Sequence, residues 1–462
     1  YLTLIFKRSL LSAELPEDWK HGKIIPIPKT ENSSLLSSYR PISLLCTSSK
    51  ILEHILFGHI SAFLETNHVI DDRQHGFRKG FSTVTQLLET IQDFAAAIDN
   101  RCQIDVIFLD FEKAFDRVSH RKFLLKLKTV LKNDLLLAWV QAYLSSRSQS
   151  ISIGNACSSP ALVSSGIPQG SVLGPLFFLI FINDIVKEIP VKIKLFADDC
   201  VLYQEIRTPA DQLFLNDALA KIHDWCSTWQ MSINTKKTVS MSITRKKQPL
   251  SFAYTINSHP LSTVDSYKYL GLTISSDLRW NKQISNIKNK ALKKLGFLRR
   301  SLRYSTQEIR LLAYKTFIRP VLEYASVVWD PYTKENIKTL ENIQRKSVRF
   351  IYNSYSWQTS PTMLLEKANL ESLQLRRYRE RLKYMFMIVH NKLGINSSKY
   401  IELVPGRSTR SYHSLKVKEY ACHTETYKNS FFPRTVREWN VLKANIVEAS
   451  TVESFTASLR NL

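Results

Sequence analysis

The sequence predicts an α+β fold that gives way to a long helical remainder, and three observations carry that expectation. Strand and helix patterns alternate through about residue 275. Within that stretch an apolar, strand-forming run, 193–197 and 200–203, is interrupted by two adjacent aspartates, Asp198 and Asp199, and reads as strand, tight turn, strand. Beyond Trp280 the strand signal fades into basic helical patterns punctuated by Pro320, Pro331 and Pro361. These shifts place a change of domain near residue 276 and a weaker one near 360, dividing the chain into 1–275, 276–360 and 361–462.

The elements follow in order. Residues 87–98 have a helical pattern, and 103–109 are apolar almost throughout and read as a strand. Residues 121–144 carry Phe123, Leu124, Leu127, Val130 and Leu131 at helical spacing, and 150–153 return to strand. The segment 166–171 breaks the pattern, and an apolar helix follows from Val172 with Ser171 or Gly170 placed to cap it. After the hairpin over 192–206 come an amphipathic helix over 210–229 and strands over 239–243 and 267–275.

A chain of 462 residues with 44% hydrophobic content can bury substantial cores. Its 64 Lys and Arg against 40 Asp and Glu give a formal net charge of +24, which favours a polyanionic partner. Nucleic acid comes first, and an anionic membrane surface second. From Lys282 to Arg319 the basic residues are opposed only by Glu308, a run too long and one-signed for a merely solvated face. The second cluster, Arg376, Arg377, Arg379, Arg381 and Lys383, reads as a solvated helix face.

The six scattered cysteines have no zinc-like spacing and read as free thiols in a reducing compartment. The longest apolar run, 172–182, is well short of the roughly 20 residues a membrane span needs. The chain begins at Tyr1 without a secretory signal and reads as a fragment of a longer polyprotein.

The aspartate pair carries the chemistry. Asp is depleted in strands, and ionised carboxylates taken out of water cost several kcal/mol unless positive charge compensates them. A second pair, Asp71-Asp72, stands among polar neighbours and reads as a solvated turn. Asp110 ends the apolar strand over 105–109; taken alone it is equally well a helix N-cap. Together, one carboxylate at a strand end and two at a neighbouring turn can converge on two Mg²⁺ ions about 3.5–4 Å apart, the geometry of two-metal phosphoryl transfer.

The ordered set Tyr39 Arg40 Pro41 Ile42 Ser43, Gln74 His75 Gly76 Phe77 Arg78, Phe108 Leu109 Asp110 Phe111 through Asp116, Gly166 through Ser171, Phe196 Ala197 Asp198 Asp199 and Tyr269 Leu270 Gly271 resembles the reverse transcriptase of non-LTR retrotransposons, the LINE-like elements, most of all the jockey group. The likeness spans roughly 15–275, with a weaker continuation toward Arg345.

It implies a right-hand polymerase: fingers and palm, with an antiparallel palm sheet bearing the catalytic hairpin, over 1–275, a basic helical thumb over 276–360, and a C-terminal region without an assigned role. Asp110, Asp198 and Asp199 would be metal ligands, with a backbone carbonyl from Phe111, holding two Mg²⁺ ions for which Mn²⁺ can substitute. Phe115 takes the place of the steric gate that excludes a 2′-hydroxyl, although an ordinary core Phe is the alternative. Asp116 completes its motif in a structural role.

Gln169 and Gly170 match residues that contact the incoming nucleotide and template, where a Pro-Gln-Gly turn lets backbone approach the substrate. Lys50 and Arg40 match basic finger positions that neutralise the triphosphate, surface charge being the alternative. Lys237, with Lys236 beside it as the competing assignment, resembles the general acid for pyrophosphate. Tyr269, Leu270 and Gly271 lie where the primer grip is expected, and the basic helices after Lys282 would hold the template and primer duplex.

The implied activity is RNA-directed DNA polymerisation from an RNA template, a DNA primer and deoxynucleoside triphosphates, with no membrane partner, and the sequence sets no oligomeric state. A catalytically silent RNA-binding descendant is the rival, yet no carboxylate or turn glycine is missing. An RNA-dependent RNA polymerase shares the carboxylate logic, but Phe115 argues against ribonucleotide entry. No nuclease constellation, RNase H pattern or zinc knuckle is evident, and nuclear residence is expected from the family's behaviour alone.

Overall fold

The computed structural model describes residues 1–29, 35–404 and 413–460. In chain order, the elements that frame the site are β1 (His21–Pro28), β2 (Tyr39–Leu44), α1 (Thr47–Thr66), α2 (Thr83–Asp99), β3 (Gln103–Leu109), β4 (Arg147–Ile153), α3 (Leu173–Ile182), β5 (Lys192–Phe196), β6 (Asp199–Ile206), α4 (Pro209–Trp229), β7 (Val239–Ile243), β8 (Ser266–Tyr269), β9 (Leu272–Ser275), α5 (Asn281–Ser301), α6 (Lys334–Tyr352) and α7 (Leu373–Val389).

Two five-stranded sheets divide the first 265 residues. In one, β1 pairs antiparallel with β2 and parallel with β4. The other runs in the order Ser262–Thr263, β7, β3, β6, β5, antiparallel except for its first pair, and stands where the resemblance puts the palm.

Strand β3 lies at the centre of that sheet, and all seven of its residues are buried. Its side chains alternate between two cores. Ile107 and Leu109 enter one with the apolar helix α3, while Ile104, Val106 and Phe108 enter the other with Leu87 and Phe94 of α2. Covering on both faces explains why this strand reads as an almost continuous apolar run.

Two sequence expectations are corrected. Residues 121–144 form two helices, His120–Val130 and Asp134–Leu144, because Asn133 leaves helical geometry and accepts the Leu136 N–H at 2.9 Å as an N-cap. Residues 267–275 are a hairpin, β8 and β9, with a two-residue turn in which Leu270 and Gly271 both have positive φ, 44° and 82°.

The second core continues across residue 276. Tyr269 and Ile274 share it with Ile284, Leu295 and Phe350, so the shift from sheet to helices is a change of element type within continuous packing. The last hundred residues return to the palm side, where the Asp99 carboxylate accepts the N–H groups of His423 at 2.9 Å and Thr424 at 2.7 Å.

The second basic cluster is not a solvated face. Arg377 and Arg381 are each only 1% exposed and converge on Asp330, Arg377 at 2.6 Å. Arg381 also meets Glu438, Arg376 meets Glu323 and Arg379 meets Glu371. Buried guanidinium groups require such partners, and here they come from elements distant in sequence. Arg310 in the first basic run is likewise buried, donating to the carbonyls of Leu302 and Arg303.

Candidate active site

The antiparallel register of the palm sheet brings the three aspartates to one end. Leu109 of β3 faces Cys200 of β6, so the next pair outward is Asp110 and Asp199. Phe196 pairs with Asp199 across the hairpin, which leaves Ala197 and Asp198 as its turn. Asp110 is therefore the residue that follows a central strand and not a helix cap.

The turn is strained and held. Ala197 has φ of 54°, a left-handed conformation unfavourable for a residue with a Cβ. Gln74 Oε1 accepts the N–H of Ala197 and that of Gly76, both at 2.8 Å, and its Nε2 donates to the Ala197 carbonyl at 3.4 Å. On either side, His75 N–H donates to the Leu195 carbonyl and Leu195 N–H to the Arg73 carbonyl, each at 2.8 Å. A Cβ on Gly76 would lie 2.4 Å from the Ala197 nitrogen, so only glycine lets the two segments approach.

Asp110 is fixed from the other edge. Its N–H donates to Thr238 Oγ1 at 3.2 Å and its carbonyl accepts the Asn234 N–H at 2.8 Å. Phe111 forms an antiparallel bridge with Ile233, in which the flanking residues make the hydrogen bonds, Glu112 N–H to the Ser232 carbonyl among them. In such a pair the central carbonyl turns away from its partner strand, here toward the hairpin.

Burial first, and then the neighbouring carboxylates, raise the carboxyl of Asp199 to about 6. Asp199 is open to solvent at its surface, yet it sits in a recess crowded by protein; both settings leave the shift upward, because two like charges stand beside it. Asp198 is raised by burial and by Asp110, with Arg40 opposing. Asp110 is raised by burial, with Lys237, Asn234 and Lys29 opposing. Lys237 Nζ stands 3.9 Å from Asp110 Oδ2.

Hard carboxylate oxygens held together against their own repulsion suit a divalent cation. Among the described residues, no group of three His, Cys, Asp or Glu side chains is already placed to hold a metal ion.

The remaining candidates divide. Arg40, on β2, acts on Asp198, whereas Lys50, half-buried in the first turn of α1, is not among the charges acting on the three carboxylates. Phe115 is half-buried and stacks on Phe178 at 4.4 Å, so its ring is braced by α3. Gln169 Nε2 donates to Asp116 Oδ1 at 2.9 Å, which gives Asp116 its structural role.

Gly170 needs its freedom for a contact within the protein. With φ of 122°, it lies where an added Cβ would stand 2.5 Å from the Ser43 carbonyl, so the turn docks on β2. Ser171 Oγ accepts the Gly174 N–H at 2.9 Å and does cap α3, helped by the buried Glu53, whose carboxylate accepts the Val172 N–H at 2.8 Å.

Tyr269 is corrected as a contact residue. The residue is 3% exposed and its hydroxyl accepts from Gln86 Nε2 at 2.8 Å, whereas Gly271 in the turn beyond it is exposed and the half-buried Leu270 has its carbonyl accepting from the Tyr324 hydroxyl.

Gln74, Lys29 and Asn234 join the site only in the fold, where Gln74 holds the Ala197 turn and Lys29 and Asn234 act on Asp110. The Gln-His-Gly run marks Gln74 and the Lys236-Lys237 segment lies just after Asn234, whereas no motif marks Lys29.

Residues 27–274 match the family described as "Reverse transcriptase (RNA-dependent DNA polymerase)". Among curated proteins, the chain is 29% identical over 399 residues to the "Probable RNA-directed DNA polymerase from transposon X-element" of Drosophila melanogaster, covering 83% of this chain and 44% of that one. It is 28% identical over 364 residues to the "RNA-directed DNA polymerase from mobile element jockey" of the same organism, covering 76% and 40%. The chain thus spans less than half the length of these relatives. Among solved structures, apo telomerase from Candida tropicalis overlaps 82% of this chain and 63% of its own at 11% identity, with a TM-score of 0.46.

Proposed function

The chain belongs to the reverse transcriptases, the RNA-dependent DNA polymerases, and from that premise we propose that it is the polymerase part of a non-LTR retrotransposon protein, adding deoxynucleotides to a DNA primer on an RNA template. The observation that carries the reading is the convergence of Asp110, Asp198 and Asp199 at one sheet end, with all three carboxyl groups raised by burial and those of Asp198 and Asp199 by neighbouring carboxylates as well. That arrangement costs stability, and a single Asn would relieve it. A silent RNA-binding descendant has no reason to keep all three.

Asp110, Asp198 and Asp199, with the Phe111 carbonyl, would hold two Mg²⁺ ions, and Mn²⁺ has the same preference for oxygen ligands. When bound, such ions make a primer 3′-hydroxyl acidic and neutralise the charge that develops on the leaving pyrophosphate. Arg40 would bind the triphosphate from the β2 side. Lys237 offers an ammonium proton on the opposite edge, beside Asp110.

The braced ring of Phe115 would meet the 2′ position of the incoming sugar, while Gln169, oriented by Asp116, and the backbone at Leu270 and Gly271 would position template and primer. The basic helix α5 would hold the duplex by its phosphates.

The test is primer extension on a homopolymer RNA template. Asp110→Asn and Asp198→Asn should each abolish extension in Mg²⁺ while leaving RNA binding nearly intact. Extension that survives either change overturns the assignment.

A further inference from the structure

Lys290 and Lys293 are the cations of α5 left to the duplex, and the opposite flank of the same helix is basic as well. Lys288, Leu292, Gly296 and Arg299 follow one another at three or four residues and share one flank of α5, and Arg303 lies just past its C-cap. Asn342, Lys346, Arg349 and Asn353 do the same along α6 and its C-cap. Between these flanks lie two hollows of about 340 and 540 Å³, and no acidic side chain lines either.

At the far end, the groove meets aromatic rings that no core claims. Arg349 pins the loop after α6, donating through Nη1 to the Ser356 carbonyl at 2.7 Å and through Nη2 to the Thr359 carbonyl at 3.0 Å. The fixed loop presents Tyr355, with the Arg299 guanidinium 4.7 Å from its ring centre, and Trp357, which is 88% exposed. Beside Arg303, which lines the larger hollow, Tyr304 is 91% exposed.

Large rings standing in water on an ordered loop, next to a one-signed groove, fit a ligand that offers both phosphates and flat apolar faces. Duplex bases are already stacked on one another and offer no free faces, whereas unpaired bases do. We propose that this flank binds an unpaired nucleic-acid strand, its phosphates along Lys288, Lys346, Arg299 and Arg300 and its bases stacked on Tyr304, Tyr355 and Trp357. The proposal rests on the polymerase reading only in that a copying enzyme meets strands outside the duplex.

The test is fluorescence anisotropy of the full chain with three labelled probes: an unstructured RNA, an unstructured DNA of the same sequence, and an RNA hairpin duplex. The double variant Tyr304→Ala, Trp357→Ala should lose roughly tenfold or more in affinity for the unstructured probes and stay within about twofold on the duplex. Tyr304→Phe with Trp357→Phe, which keeps the rings, should restore binding. Tighter binding of the RNA probe assigns the groove to template, and tighter binding of the DNA probe assigns it to an unpaired DNA strand. No loss on the unstructured probes, or an equal loss on the duplex, overturns the proposal. Primer extension by the unaltered chain is read separately, so failure of the polymerase reading remains distinguishable.

Discussion

Gln74 spans both polar groups of the Ala197 peptide unit, accepting its N–H at 2.8 Å and donating to its carbonyl at 3.4 Å. One buried amide thereby holds the left-handed residue that precedes Asp198. Gln74→Leu would leave the N–H groups of Ala197 and Gly76 without their acceptor and should cost on the order of 2–4 kcal/mol. Because the turn sets the carboxylates, kcat should fall more than KM for the nucleotide rises. Thermal unfolding and steady-state extension kinetics check both. Gln74→Glu, which keeps the acceptor and loses the donor, should lie between the two.

The carboxylate cluster can be probed without catalysis. Above about pH 6 Asp199 is ionised, and its repulsion with Asp198 and Asp110 opposes folding because its carboxyl is raised to about 6 by burial and by those two neighbours. Asp199→Asn should therefore raise the Tm of the metal-free protein at pH 8. Added Mg²⁺ should raise the Tm of the unaltered chain and leave the variant almost unmoved. Calorimetry with and without the ion reads both, and an unaltered chain indifferent to Mg²⁺ would contradict the ligand assignment.

The polymerase elements were legible where a local pattern reports its own environment. The apolar frame on both sides of Asp198-Asp199 is visible in the sequence because strand pairing buries it, and β3 showed its two-sided covering as a continuous apolar run. Partners brought from afar leave no such mark. Arg377 and Arg381 read as a solvated face because Asp330, which neutralises both, lies 47 and 51 residues away. Gly170 showed the need for a tight turn but not that the Ser43 backbone would occupy the space.

Phe115 should govern sugar selection. Its ring is held against Phe178 at 4.4 Å with the planes 18° apart, so it cannot swing aside without unstacking. Phe115→Val should raise incorporation of ribonucleotides relative to deoxynucleotides with little change in extension by the latter. Competition assays on one template measure the ratio, and unchanged discrimination would return Phe115 to an ordinary packing role.

The buried pair behind the hairpin predicts acid sensitivity. Lys194 on β5 and Glu89 on α2 form an ion pair, with His75 Nε2 at 3.6 Å from the same carboxylate. Burial alone would raise Glu89, but His75 and Lys194 outweigh it and hold the carboxyl at about 2, below its usual 4.5. A lowered carboxyl stabilises the fold above pH 4.5 and loses that contribution as pH falls toward 2, an effect of roughly 3 kcal/mol. His75 is also lowered, chiefly by burial, so the unfolded chain binds its proton first and stability already declines below about pH 6.5. Both groups act in the same direction, and β5 with its aspartate turn should loosen before the rest of the sheet. Urea unfolding between pH 3 and 7 should show this slope for the unaltered chain and a shallower one for Glu89→Gln, and hydrogen exchange should report earlier loss of protection at Leu195 than at Val106.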